Sequence, residues 1–216
     1  MKGKVTFELI NLRDFGEGKH KVVDDRPYGG GVGMILRADI LTKALKFVSS
    51  KLPTTNYKLQ TILTSASGKP YKQSSAKEFS KLDHLVIICG HYEGVDQRFI
   101  DKYVDEETSI GDYVLTGGEI PAMAIVDSVV RLIPGVLEKP EATQNESFSH
   151  LPPPASHLQL LEHPQYTRPE EFEGLKVPKV LLSGNHAEIS KWRKEKSLTK
   201  TKKLRPDLLK KTIQTG

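Results

Sequence analysis

The chain has one cysteine, Cys89, and one tryptophan, Trp192, among 216 residues. A lone cysteine excludes an intramolecular disulfide and any cysteine-based metal centre, and its place inside an apolar run suits a reducing, cytoplasmic setting. Long hydrophobic runs are missing as well. No window approaches the roughly eighteen apolar residues of a membrane-spanning helix. The N-terminus, Met1 to Glu8, alternates charged and apolar residues without the continuous apolar stretch of a signal peptide. Neither secretion nor membrane spanning is therefore expected. His20, His91, His163 and His186, with Asp24 and Asp25, lie far apart and show no zinc spacing, so no structural metal is expected. Charge of one sign is also missing from most of the chain. Residues 158 to 216 hold 13 Lys/Arg against 7 Asp/Glu, whereas the rest holds 19 against 20, so the net +5 belongs to the C-terminal part. Ten basic residues lie between Lys191 and Lys211, opposed by Glu195 and Asp207, with Trp192 interleaved. Such a stripe is either a solvated helical face or a surface for a polyphosphate backbone, which releases counterions on binding.

What the sequence does have is a cluster of glycine turns set between apolar runs. Leu85-Val86-Ile87-Ile88-Cys89 reads as a buried strand running directly into Gly90-His91-Tyr92-Glu93-Gly94. Ser109-Ile110-Gly111-Asp112-Tyr113 and Thr116-Gly117-Gly118-Glu119 follow within a short stretch. Glycine after a strand lets the main chain approach a ligand closely, so three such turns are expected to converge on a small-molecule pocket at the strand ends. Each taken singly is also an ordinary βα turn. A further cluster, Gly29-Gly30-Gly31-Val32-Gly33, follows Arg26-Pro27-Tyr28 rather than an apolar strand. Met34 stands where a dinucleotide-binding G-x-G-x-x-G needs its last glycine, which excludes that reading.

Periodicity predicts strands at Val5 to Leu9, 58–64 and 85–89, and helices at 39–48, 73–82 and 119–133, the last ended by Pro134-Gly135. Alternating strand and helix signals argue an α/β unit with a mostly parallel sheet. The pattern is lost from Glu138 to His157, which contains Pro152 to Pro154 and reads as a linker. Asn185-His186-Ala187-Glu188 opens a helix through Ser197, and a second short helix is expected from Pro206.

Cys89 to Arg98 and Ser109 to Ala122 closely resemble the bacterial tRNA (guanine-N1)-methyltransferases, the TrmD family. So do Asp24-Asp25-Arg26-Pro27-Tyr28-Gly29-Gly30-Gly31, Arg131 to Leu137 and Val180 to Ile189, and the resemblance runs from about Val5 to Leu209. It implies a SPOUT-type fold: a mostly parallel α/β sheet with a C-terminal trefoil knot, followed by a small helical domain. Periodicity reveals no knot. The resemblance divides the chain into a methyltransferase domain, 1–137, a linker carrying the base, 138–157, and a basic tRNA-binding domain, 158–216. It implies a cytoplasmic homodimer that transfers methyl from S-adenosylmethionine to N1 of guanine 37 of tRNA, assisted by Mg2+.

The cofactor contacts it implies are Leu63, Thr64, Ser65, Gly90, Tyr92, Glu93, Ser109, Ile110, Gly111, Tyr113, Leu115, Gly117, Gly118 and Pro121. His20, Asp25, Arg26, Lys200, Lys202 and Lys203 are implied tRNA contacts. N1 of guanine carries a proton at neutral pH, so a base must take it while a cation steadies charge on O6. The family assigns these roles to an aspartate in an Asp-Ser-Phe motif and to an arginine. Arg131 matches the arginine, and Glu146, in Glu146-Ser147-Phe148, occupies the aspartate's place. Lys202 stands where many relatives carry tryptophan, and relatives usually carry a strand and helix before the segment matching Val5, so the chain is expected to be either naturally short or misplaced or trimmed at its start, with stability and RNA docking at stake before chemistry. A different class of reading is a non-catalytic tRNA-binding protein that keeps the cofactor pocket.

Overall fold

The computed structural model describes residues 3–53, 56–139, 143, 146–150 and 159–209. Asn145, the Pro152 to Pro154 run, Lys210 and Lys211 lie outside the described residues. The chain divides into two compact units, Met1–Glu138 and Lys139–Gly216.

The first unit is built on one strand. In β3, Leu59–Pro70, the run from Thr61 to Thr64 is buried. Burial on both faces is what a central parallel strand requires, and here it takes in Thr61 and Thr64 as well as Ile62 and Leu63. It pairs in parallel with β4, His84–Cys89, from Leu59 opposite His84 to Thr64 opposite Cys89. On its other side lies β5, Glu106–Ser109, also parallel, giving the order β4-β3-β5. The β3–β5 register slips between Thr64 and Lys69, so residues 65 to 68 bulge out at the end of the ladder.

Helices cover both faces of this sheet. In α1, Ala38–Lys51, Ile40, Leu41 and Ala44 recur at helical spacing. They pack with Val23, Leu36 and Phe99, the last from α3, Gln97–Tyr103, and Ile88 of β4 joins from the sheet. The opposite face takes α2, Gln73–Phe79, and α4, Glu119–Val130, whose Ala76, Phe79, Ile125 and Val129 pack on Ile62, with Leu85 and Ile87 alongside. Ile87 and Ile88 thus serve opposite faces, as successive strand residues must. Each fully buried large side chain contributes about 1.5–3 kcal/mol. The start of α3 is fixed by Asp96, whose carboxylate accepts from the Arg98 backbone N–H at 3.0 Å and from the Arg98 guanidinium. That pairing holds the Asp96 carboxyl below the usual carboxylate range. A short ribbon, β1, Asp24–Asp25, against β2, Ile35–Leu36, completes the unit.

One expectation fails. Val5 to Leu9 belongs to no strand among the described residues, and Phe7 and Leu9 are 61% and 96% exposed. Alternation marks which side chains share a face, but a strand also needs a neighbour to complete its hydrogen bonds, and none of the described strands pairs with this one.

In the second unit β6, Ser149–His150, pairs antiparallel with β7, Gln159–Leu160. A hairpin follows, β8, Glu171–Phe172, and β9, Leu175–Lys176, then a single turn of helix, α5, Lys179–Leu182. The main element is α6, His186–Leu204, with Asn185 as its cap: the side-chain oxygen accepts from the N–H groups of Ala187 and Glu188 at 3.2 and 3.3 Å. It runs seven residues beyond Ser197 because its Lys-rich second half favours helix, and Pro206 limits it. Its buried residues are Ser197 and Thr201 rather than an apolar stripe. Thr201 is fully buried. Its hydroxyl donates to the Ser197 carbonyl at 2.7 Å and accepts from the Leu161 N–H at 2.9 Å.

Candidate active site

The three parallel strands end at one edge of the sheet, the place where α/β proteins bind ligands. Leu63, Thr64 and Ser65 end the straight part of β3, Gly90 follows β4, and Ser109 ends β5. The glycine turns meet there through main-chain contacts. Gly118 donates its N–H to the Gly90 carbonyl at 2.8 Å, and His91 and Gly117 form an antiparallel bridge. Thr64 fixes the neighbouring crossing by donating its hydroxyl to the Ile88 carbonyl at 3.1 Å. The fit at Gly118 leaves no room for a side chain. A Cβ there would overlap the Thr64 hydroxyl and lie 2.7 Å from the Cα of Cys89 and 2.8 Å from the Gly90 nitrogen. Pro121, buried in the first turn of α4, sits just beyond.

The third turn closes on itself. Ser109 donates its hydroxyl to the Gly111 carbonyl at 3.0 Å, and Tyr113 donates its N–H to the same carbonyl at 2.9 Å. Ser109 is buried and Ile110 and Gly111 are half-buried, while Tyr113, Leu115 and Tyr92 project as exposed apolar surface. Tyr92 adopts a left-handed backbone, φ +54°, with its ring edge-on to His91 at 4.2 Å. A main-chain cradle with aromatic and apolar side chains at its rim can hold a small molecule that carries both a hydrogen-bonding edge and a flat ring. Burial pushes the Cys89 thiol up, and the Glu119 carboxylate adds to this, so Cys89 stays protonated and inert at neutral pH.

A contact not foreseen from the sequence joins the second glycine cluster to this edge. Glu93 donates its N–H to the Met34 carbonyl at 3.1 Å, and Leu36 and Val95 form a parallel bridge. Gly33, at φ +86°, lies where a Cβ would overlap the Glu93 side chain. The glycines themselves were the available signal, since Gly29, Gly30, Gly31 and Gly33 all adopt positive φ in this loop. Asp25 ends β1 at its base and Arg26 follows it, the Asp25 carboxylate accepting the Arg26 N–H at 2.7 Å; both are exposed, as is His20.

Arg131 follows the last turn of α4, half-buried, with its N–H donating to the Asp127 carbonyl at 3.3 Å. Glu146 belongs to the second unit, and the residues after it are anchored there. Ser147 accepts the Glu162 N–H through its hydroxyl at 3.0 Å, Phe148 donates its N–H to the Leu160 carbonyl at 2.8 Å, and the Arg205 guanidinium lies 6.0 Å from the Phe148 ring. Of the three basic candidates on α6, Lys202 and Lys203 are exposed, whereas Lys200 is half-buried and donates to the Glu162 carbonyl at 3.1 Å. Among the described residues no three His, Cys, Asp or Glu side chains gather as a metal site. No helix among them is long and apolar enough to cross a membrane.

A family model described as tRNA (Guanine-1)-methyltransferase TrmD matches residues 1–211. A protein of Listeria innocua is 51% identical over 207 residues, covering 96% of this chain and 80% of the relative. One from Caldicellulosiruptor saccharolyticus is 52% identical over 208 residues, 96% of this chain and 79% of its own length. One from Dictyoglomus turgidum is 50% identical over 214 residues, 99% and 81%. Each of the three is named tRNA (guanine-N(1)-)-methyltransferase.

Proposed function

The chain belongs to the tRNA (guanine-1)-methyltransferase TrmD family and is a tRNA (guanine-N1)-methyltransferase, and from that premise we propose that it methylates guanine 37, beside the anticodon, using S-adenosylmethionine at the crossing of the glycine turns. The observation that carries this reading is the approach of Gly118 to Thr64 and Gly90, which brings the main chain of two glycine turns together at the end of β3. Tyr92, Tyr113 and Leu115 offer exposed apolar surface beside this crossing for the flat ring of an adenine. These residues fit the group. When bound, S-adenosylmethionine supplies a methyl carbon made electrophilic by its sulfonium.

The remaining task falls on the chain's own side chains. The Glu146 carboxylate takes the proton from guanine N1, and the Arg131 guanidinium steadies the charge that develops on O6. Glu146 is one methylene longer than the family's aspartate. That moves its carboxylate by about 1 Å, a displacement that costs about a hundredfold in rate unless the backbone compensates. Anchoring of Ser147 and Phe148 on the second unit is the means of compensation.

The protein acts as a homodimer in which Glu146 serves the cofactor site of the other copy. Exposed Val114, Ile120 and Met123, 85%, 62% and 70% accessible, supply apolar surface for that pairing. The fold is of the SPOUT type, with a trefoil knot in the C-terminal part of the sheet, domains 1–137 and 158–216 flank the segment 138–157, and Mg2+ assists the reaction. His20, Asp25, Arg26, Lys200, Lys202 and Lys203 meet tRNA, whose location places the reaction in the cytoplasm.

The test is methyl incorporation from labelled S-adenosylmethionine into unmodified tRNA bearing guanine 37. Glu146→Gln is expected to lower it by about 10²–10⁴-fold, and a tRNA with adenine 37 to abolish it. Incorporation that survives both changes overturns the assignment of base and position.

A further inference from the structure

The second unit contains a groove of about 910 Å³ that the methyl-transfer reading does not use. Ile189, Trp192 and Arg193, at i, i+3 and i+4 of α6, form one wall, and α5 contributes Leu181 and Leu182. The segment from His163 to Glu170 forms the other side. Tyr166 within it is 48% exposed, with its ring 6.2 Å from that of Trp192, and His163 lies 6.4 Å from the same indole. Its volume falls in the range of about 300–1,000 Å³ usual for small-molecule sites. It is lined by aromatic and aliphatic surface with cations at its rim.

The charge around it selects the occupant. Arg168 and Arg193 line the groove, and the Lys196 ammonium stands 5.9 Å from the Trp192 ring centroid. Lys191, Arg193, Lys194 and Lys196 make no ion pair with a carboxylate among the described residues, unlike Lys176 with Glu171 and Arg205 with Asp207. Cations left unpaired beside an aromatic wall match a ligand that has a flat ring joined to an anion. Glu170, the acid at the rim, can accept from an amino or 2′-hydroxyl group. A duplex offers the anion but hides the ring faces, so the ligand is an unpaired nucleotide.

We propose that this groove captures an unpaired nucleotide of the tRNA, its base stacked on Trp192 and Tyr166 and its flanking phosphates held by Arg168 and Arg193. The proposal rests on the tRNA reading above, and it adds a contact made by side chains of the second unit alone. An extrahelical base seated here fixes the position of the basic helix α6 on the RNA, which charge alone does not do.

Trp192 is the only tryptophan of the chain, so its emission reports on the groove without modification. The intact protein is titrated with unmodified tRNA, a short single-stranded oligoribonucleotide, an RNA duplex of equal length, inorganic polyphosphate and an acidic peptide. Saturable quenching by the first two, absent with the other three, is expected. Tyr166→Ala is expected to weaken oligonucleotide binding by roughly five- to a hundredfold, whereas Tyr166→Phe, which keeps the ring, retains it. The proposal is overturned by a silent Trp192, by equal quenching with polyphosphate or peptide, by equal loss in both Tyr166 variants, or by an emission change that follows protein concentration alone, which gives the groove to a second copy. Methyl incorporation is measured in parallel: turnover with a silent tryptophan removes the groove proposal alone, and quenching without turnover removes the methyl-transfer reading alone.

Discussion

The crossing at Gly118 and the helix α6, to which the proposed function assigns cofactor and tRNA, are made of different material. At the crossing, the close contacts are between main-chain groups, Gly118 to Gly90 and Gly117 to His91, with one short side chain added, the Thr64 hydroxyl donating to the Ile88 carbonyl. On α6 the contacts are made by side chains, Thr201 to Leu161, Lys200 to the Glu162 carbonyl and the Trp192 ring to Tyr166 and His163, and in the helix only Ser197 and Thr201 are buried. A site made of main chain at van der Waals distance is all or none, because a single added carbon has nowhere to go. A site made of exposed lysines and a few rings is graded, because each side chain contributes a separable share.

The sharpest way to break this comparison is Gly118→Ala. Its Cβ meets backbone of Cys89 and Gly90, which cannot swing aside as a side chain would. A loss of about 3 kcal/mol or more is expected, read as a fall in the unfolding midpoint of the first unit together with loss of S-adenosylmethionine binding. A normal midpoint with normal binding would show that the crossing tolerates a side chain and that the two regions do not differ in kind.

Thr201→Val comes next. The isosteric change leaves the half-buried Leu161 N–H without its acceptor, at a cost of about 1–3 kcal/mol. Hydrogen exchange is expected to speed up at Leu161 and along α6 while the amides of β3 stay protected. Faster exchange in both units would mean that they unfold as one.

The smallest effect belongs to Lys202→Ala with Lys203→Ala. Both side chains are exposed, and their replacement should leave the unfolding midpoint within about 0.5 kcal/mol of its original value. Only the salt dependence of tRNA affinity is expected to change, its logarithmic slope falling by about 2. An unchanged slope assigns the two lysines to a solvated face.

Much of the first unit was legible in the sequence. The Leu85 to Cys89 run, the α1 spacing of Ile40, Leu41 and Ala44, and the halt of α4 before Pro134-Gly135 each depend on neighbours in the chain, so local pattern found them. Val5 to Leu9 was misread because pairing is a long-range property. The bulge after Thr64 was missed for a similar reason: a register slip against β5 depends on Thr108 and Ser109, far along the chain. In the second unit the cap at Asn185 was legible, whereas the groove was not. Tyr166 and Trp192 are 26 positions apart, and neither residue alone signals a site.

By itself the sequence determined which residues are turns, which are apolar faces and where the excess of positive charge lies, since these follow from residue type and spacing along the chain. It also determined the family, through motifs spread from Asp24 to Ile189. Only the tertiary structure decided that Gly118 needs to be glycine. Its φ of −84° suits any residue, and it is the passage of Thr64 and Cys89–Gly90 beside it that excludes a side chain. Proximity between segments far apart in the chain is set by how strands and helices pack, and composition and local spacing carry no record of that.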